Sequence, residues 1–505
     1  VWNFLQMLQD EGLINFNIMN YKWEWDIDEI VKGTKTSDNV ADILIDRIQR
    51  LSECSQTILR IAACFGSEFH TDLVFLLMCD VGKESYNKPL DLSEDSPVID
   101  LESELAEFEP QREKFDKTIE TLVACGLIEE SYVGLMKFSH DRIQQAVYDA
   151  EASEAEMETE HLKIGKLLFG LRESPNYNRE WLFFGAVDQL NRGSRNMCDV
   201  SKVALARSNL KASNLAKAKS AFIPAAAFLK SGIMLINDLD TWGEHYALSL
   251  ELYSSAAETE QMATNCTGCN FLVNEILSNA KSVKDKFRAY AARTETLISQ
   301  RKNREAVEMG LDVLQQMGEK FPRKVYPWHI LGAISKAKKM LQGKTDEDLL
   351  AAPPMDDHMK ECVLKMLWRL ASAMFFMKEQ SLLPLVYVRL LEISVLDGTN
   401  KYTCLAYTFY GLMLCRFGDI DDAYRFGSLG MKFMDKADPQ SIPTAEVMYH
   451  FMISHWKRPI RECLDPMLHA FEVGMEVGEP HFGLLGASGY CVTYIMAGLP
   501  LKPVV

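Results

Sequence analysis

Residues 407–434 read YTFYGLMLCRFGDIDDAYRFGSLGMKFM. Gly411, Gly418 and Ala423 stand seven and five residues apart, and Tyr424 and Leu429 supply apolar positions on the second of two helices. Small residues at those offsets let two antiparallel helices, and the pair that follows them, approach closely. This stretch predicts a helical hairpin that repeats.

Working outward from it, Ala306 takes the same role within Arg304–Met317, and a further helical pair surrounds Ala216–Leu229. Beyond Ala150 the chain reads as successive amphipathic helices with few strand signals. Repeats this degenerate predict an irregular, tetratricopeptide-like α-solenoid over residues 151–505. Phe482 to Pro500 carries no charge but is rich in Gly and Ala and contains Ser488 and Thr493. It reads as a small-residue helix buried in the solenoid rather than a bilayer span.

Upstream the pattern changes. Ser55 opens a helix with Ile58, Leu59, Ala62 and Phe65 on its apolar side and Gly66 at its end. An earlier helix face is formed by Val40, Ile43, Leu44, Ile48 and Leu51, with Ser37, Asp38 and Asn39 as caps. Another helix begins near Thr71, and Phe115, Ile119, Leu122 and Val123 mark a fourth, stopped at Gly126. Two short strands, Leu127–Ser131 and Leu135–Ser139, flank a turn at Gly134. Helices followed by one hairpin predict a winged-helix domain over residues 36–150. Lys83 to Arg112 interrupts it, and its eight carboxylates from Asp91 to Glu109 come with no Lys or Arg between them, which predicts a mobile acidic surface insertion over 83–112. Residues 1–35 combine a helix at Asn3–Glu11 with an extended piece through Tyr21–Asp28 and cannot close a core alone. They read as the end of an upstream domain. Both ends of the chain look cut, so an internal fragment is expected. The fold class is mainly α, a winged helix followed by a solenoid.

The chain has 505 residues, a formal net charge of −17 and a pI near 5.2. An acidic surface repels phosphate backbones, which argues against nucleic acid and anionic membrane as partners. Most of its 12 cysteines fall in apolar stretches, and they show no regular spacing, so free thiols in a reducing, cytoplasmic setting are expected. No signal peptide is visible.

Catalytic signatures are missing. GxxxxGK[ST] does not occur, and Gly343-Lys344-Thr345 has lysine where the first glycine belongs. Cys266 and Cys269 form a lone CxxC without two further zinc ligands nearby. His140-Asp141-Arg142 has the wrong order for a kinase catalytic loop. It reads instead as a helix start, with Ser139 as cap and Ile143, Ala146 and Val147 on the buried face. The helix before the hairpin carries Asp116, Lys117 and Glu120 rather than a basic stripe, so a protein-binding winged helix is favoured over a DNA reader.

Taken together, Trp23-Glu-Trp-Asp26, Asp38-Asn-Val-Ala-Asp42, Ile48-Gln-Arg-Leu51, Ile61-Ala-Ala-Cys-Phe-Gly66 and Phe138-Ser-His-Asp-Arg-Ile-Gln-Gln-Ala-Val-Tyr148 resemble the STAND-type, AAA-like ATPase modules of multidomain signalling proteins. These proteins join a serine/threonine kinase, the ATPase, helical repeats, a GAF domain and a histidine kinase. The resemblance is strong over roughly the first 150 residues and weak over most of the rest. It implies that residues 1–35 end an ATPase module, that the winged helix and repeats gate that module and sense partners, and that ATP binds only upstream. No P-loop or acidic Walker B strand is present in this sequence. The expectation is therefore a non-catalytic regulatory and protein-interaction segment, without a cofactor of its own, whose partners are proteins including its own ATPase module. Arg142, Gln144 and Gln145, flanking the buried face of their helix, are the candidate interdomain contact. The alternatives are a winged-helix transcriptional regulator, tested by salt-dependent DNA binding, and a free-standing helical scaffold.

Overall fold

In the computed structural model the first described element is a hairpin, β1 (Ile14–Asn17) paired antiparallel with β2 (Lys22–Trp25). Phe16 sits opposite Trp23, the rings 5.2 Å apart and edge-on. The structure describes residues 9, 13–17, 22–27, 30, 48–79, 90–93, 96–149, 154–195, 197–377 and 380–500. Most of the helix expected at Asn3–Glu11 lies outside them, as does the Val40–Leu44 face with its caps. The chain divides into two compact units, residues 1–208 and 209–505.

In the first unit, α1 (Glu53–Phe65) starts where Ser52 Oγ accepts the amide of Ser55 at 3.2 Å, and it ends at Gly66, whose φ is +119°. There follow β3 (Glu68–His70), α2 (Thr71–Met78), α3 (Leu101–Glu107), α4 (Glu109–Ala124), β4 (Ile128–Tyr132), β5 (Leu135–Phe138) and α5 (Asp141–Asp149). The strands form one antiparallel sheet in the order β3-β5-β4, with β4 and β5 turning at Gly134 in the left-handed region. β3 is only three residues long, too short to show an alternation in the sequence. Ile58, Leu59, Leu73, Phe75, Leu122 and Ile143 fill the core beneath the sheet.

One local expectation changes, and the described part of the acidic stretch carries α3 and packing contacts. Leu101 is buried, and the Arg172 guanidinium donates to the carbonyls of Ser96 and Pro97. At the start of α5 the cap is His140 rather than Ser139, since His140 Nδ1 accepts the Arg142 amide at 3.1 Å.

Helices α6 (Glu154–Gly170) and α7 (Arg179–Arg192) lie within the region read as solenoid, yet their apolar faces complete the first unit's core. A polar chain stitches them in. Tyr148 Oη lies 3.0 Å from His161 Nε2, His161 Nδ1 lies 2.6 Å from Gln189 Oε1, and Gln189 Nε2 donates to the Cys64 carbonyl at 2.7 Å. Burial holds His161 below the usual histidine range. That keeps a neutral imidazole inside a satisfied network.

The second unit is a helical solenoid. Its helices are the end of α8 (Asp199–Ala218), α9 (Phe222–Ile236), α10 (Tyr246–Met262), α11 (Cys266–Asn279), α12 (Val283–Ser299), α13 (Asn303–Gln316), α14 (Pro327–Leu341), α15 (Asp346–Leu350), α16 (His358–Phe375) and α17 (Leu383–Leu396). The series closes with α18 (Thr403–Arg416), α19 (Ile420–Met431), α20 (Ile442–Glu446), α21 (Leu464–Glu476) and α22 (Pro480–Met496).

Residues 407–434 fall on α18 and α19, which form a helical hairpin. A Cβ at Gly411 would lie 2.7 Å from the Ala423 carbonyl, and one at Gly430 would lie 2.5 Å from Thr408 Oγ1. Only glycine permits that separation. Gly418 makes the turn at φ +86°. Trp368, Tyr402, Tyr407, Phe409 and Tyr410 are completely buried in this unit's core, with Tyr387 stacked on Phe409 at 4.7 Å. Such rings bury roughly 150–250 Å² each.

α22 packs on α21 through Gly483 and Gly474, where a Cβ at Gly474 would come within 2.6 Å of the Gly483 Cα. Among the described residues no helix is long and apolar enough to cross a membrane. The beginning and end of the unit also meet. Ser220 Oγ donates to the Glu476 carbonyl, and Gly478 lies against Met262 and Phe222.

Candidate functional site

Helix periodicity sets the polar chemistry of the second unit. Lys365 and Arg369 stand four residues apart on α16, and Glu258, Gln261 and Met262 share one face of α10. Ala291 and Ala292 on α12 leave room beside Glu295. With Lys217, Phe222 and the turn Asp438–Gln440, these residues line a cavity of about 490 Å³.

Arg369 is at its centre. Nε lies 2.5 Å from Glu295 Oε1, one terminal nitrogen donates to Glu479 Oε2 at 2.5 Å, and the other donates to Gln440 Oε1 at 3.1 Å. The guanidinium also covers the Trp368 ring, 3.8 Å from its centroid. Two buried carboxylates share one guanidinium, so one negative charge is left over. Burial pushes Glu295 up, Arg369 pulls it down, and Glu479 pushes it up again, leaving its pKa at about 7.

Glu258 has the opposite setting. Burial disfavours its charge, but Arg288 grips both oxygens at 2.9 and 2.7 Å and holds its pKa down at about 2. Arg288 also reaches Glu251 at 2.7 Å and Ser255 at 3.1 Å. A fork-shaped donor matching a carboxylate edge is the strong form of this interaction.

A second concavity of about 960 Å³ lies between α13 and the loop before α14, lined in part by Arg304, Leu311, Lys320, Arg323 and Tyr326. Tyr326 stacks on Trp328 at 4.5 Å and 6°, and both rings are exposed.

The sequence-read candidates lie elsewhere and do not form one site. On α5, Arg142 and Gln145 are exposed, Gln145 donates to Asp149 at 2.7 Å, and half-buried Gln144 donates to the Ala63 carbonyl of α1 at 2.9 Å. Gly343-Lys344-Thr345 is a turn and a cap, with Thr345 Oγ1 accepting the Asp348 amide at 3.2 Å. Cys269 is buried and accepts from Thr296 Oγ1 at 3.2 Å. No group of metal-ligating side chains is present among the described residues.

Arg369 escaped the sequence reading. Its one signal is a lone cation inside the apolar run Met366–Leu367–Trp368–Arg369–Leu370–Ala371, where an unpaired charge could not be buried. Its partners, Glu295 and Glu479, are far away in the chain.

Comparison with known proteins finds no matching family model. Over 551 aligned positions the chain is 21% identical to "Hybrid signal transduction histidine kinase G" of Dictyostelium discoideum, a match covering 99% of this chain and 16% of that protein. The chain thus spans about a sixth of that relative's length. Among solved structures, a Signal Transduction ATPase with Numerous Domains (STAND) protein with a tetratricopeptide repeat sensor, from Pyrococcus horikoshii, aligns with 94% of this chain and 65% of its own. That alignment has 12% identity and a TM-score of 0.33.

Proposed function

We propose that this chain is a regulatory and protein-interaction segment of a larger signal-transduction protein, in which a partner docked on the solenoid alters the output of modules elsewhere in the polypeptide. The observation that carries the reading is the alignment of nearly all of this chain with one sixth of a hybrid signal transduction histidine kinase. A segment that makes up a sixth of such a protein has further modules to act on.

The first unit fits the relay position. Its helices and β3-β5-β4 sheet follow one another as in a winged helix, with β4 and β5 as the wing. The exposed side chains of α5, Arg142 and Gln145, are available to an ATPase module, which would be where ATP binds. The second unit fits the sensing position. Exposed aromatic rings beside cationic side chains, as at Tyr326, Trp328, Arg323 and Lys324, are the kind of anchors protein partners use. Population shift is the mechanism: a partner that binds one packing arrangement better stabilises it by its differential affinity.

The test is made in the full-length protein. Histidine-kinase autophosphorylation and nucleotide turnover are measured for wild type, Trp328→Ala with Arg323→Glu, and Arg142→Ala. Altered output in the solenoid variant, with folding intact by circular dichroism, is expected. Output unchanged in every variant, and on excision of residues 209–505, overturns the reading.

A further inference from the structure

The cavity around Arg369 has an uneven set of charges. The buried and half-buried carboxylates of its wall are already engaged: Glu258 by Arg288, Glu295 by Arg369, and Asp438 by Lys401 at 3.4 Å and Tyr402 at 3.3 Å, while Glu476 stands exposed at the rim. The ammonium groups are not engaged in this way. Lys217 and Lys365 line the same space. Among the described residues neither lies within ion-pair distance of a carboxylate. The Gln261 amide stands beside them on the cavity wall.

We infer that this cavity is a binding site for a small organic anion, held by the ammonium groups of Lys217 and Lys365. Its volume of about 490 Å³ falls in the range of small-molecule sites. The inference rests on the cavity alone and stands or falls independently of the signalling reading.

The surroundings give the site a pH dependence with a definite sign. Lys365 and Arg369 of α16 face Glu295, as does Glu479 ahead of α22, and Glu258 of α10, Lys217 of α8, Asp438 and Glu476 of α21 line the same space. Burial lowers Lys217, while Glu258 and Glu251 raise it and Arg288 lowers it further. A bound anion favours the charged lysine and the protonated Glu295, so binding takes up protons. Affinity therefore rises as pH falls through about 7, the value at which Glu295 titrates.

The experiment is calorimetric titration of the 505-residue chain with sulfate, with succinate and with chloride at matched ionic strength. Sulfate keeps its charge between pH 6 and 8, so it reports the protein's protons alone. Expected are one saturable site for sulfate or succinate, binding several-fold tighter at pH 6 than at pH 8, and about tenfold weakening in Lys217→Met and in Lys365→Met. Glu295→Gln is expected to bind but to lose most of the pH dependence. A preference for sulfate marks a phosphate ester as the natural ligand, and a preference for succinate marks a carboxylic acid. Absence of a saturable site for either anion, or identical binding in both lysine variants while their thermal unfolding in chloride matches wild type, overturns the proposal.

Discussion

The second unit holds its helices together in two different ways. Between α18 and α19 the contact is backbone on backbone, with Gly411 against Ala423 and Gly430 against Thr408. Between α12, α16 and the start of α22 the contact is a buried guanidinium shared by Glu295, Glu479 and Gln440. The first depends on the absence of side chains and holds no titratable group. The second depends on complementary charges, so it can be altered by a proton. A rigid seam and a titratable seam therefore coexist in one solenoid.

Removing the guanidinium breaks the titratable seam outright. Arg369→Ala leaves two buried carboxylates without their common cation, and a loss of about 3–5 kcal/mol in urea unfolding is expected. Arg369→Met combined with Glu295→Gln and Glu479→Gln should recover much of it, because the uncompensated charges are gone. At the rigid seam, Gly411→Val drives methyl groups into the Ala423 carbonyl and should cost about 1–3 kcal/mol in the same assay, at every pH.

The smallest effect sharpens the contrast. Glu295 titrates near 7 in the folded chain, above its unfolded value, so the folded state holds the proton longer. Its contribution to stability is complete below about pH 4.5 and is lost as pH rises to about 7, with a slope of no more than about 1.4 kcal/mol per pH unit. Glu258, held at about 2, contributes with the opposite sign, and its stabilisation is lost as pH falls from about 4.5 toward 2. Urea midpoints measured from pH 4.5 to 8 should show the slope in wild type and its loss in Glu295→Gln. The difference between Gly411→Val and wild type should stay constant over that range.

The two seams were not equally legible. Gly411, Gly418 and Ala423 announced the α18–α19 hairpin because its contacts are local and written within 28 residues, 407–434. Gly430 deepens the same contact, and Gly427 makes room for Tyr449 and Ile453 of the segment that follows. The short strands β4 and β5 were visible from the turn at Gly134, whereas β3 borrows its pairing from β5 and has no pattern of its own. The charged cavity was invisible for a different reason. Glu479 lies 110 residues beyond Arg369, and no periodicity links them. The helices α6 and α7 look like solenoid helices in sequence. Their assignment to the first unit rests on His161 and Gln189 reaching Tyr148 and Cys64, contacts that only three dimensions reveal.

The joint between the early and late helices of the second unit bears on how the chain reaches its native state. Ser220 and Glu476 meet across 256 residues, and Gly478 touches Met262 and Phe222 beside them. A linear array of helical repeats folds from local contacts and frays at its ends, because each terminal repeat has one neighbour instead of two. Here the early and late helices are neighbours. That joint is a contact of high sequence separation, formed only after the intervening helices have been arranged. It follows that fraying at one end exposes the other, and the solenoid opens as one cooperative body rather than helix by helix.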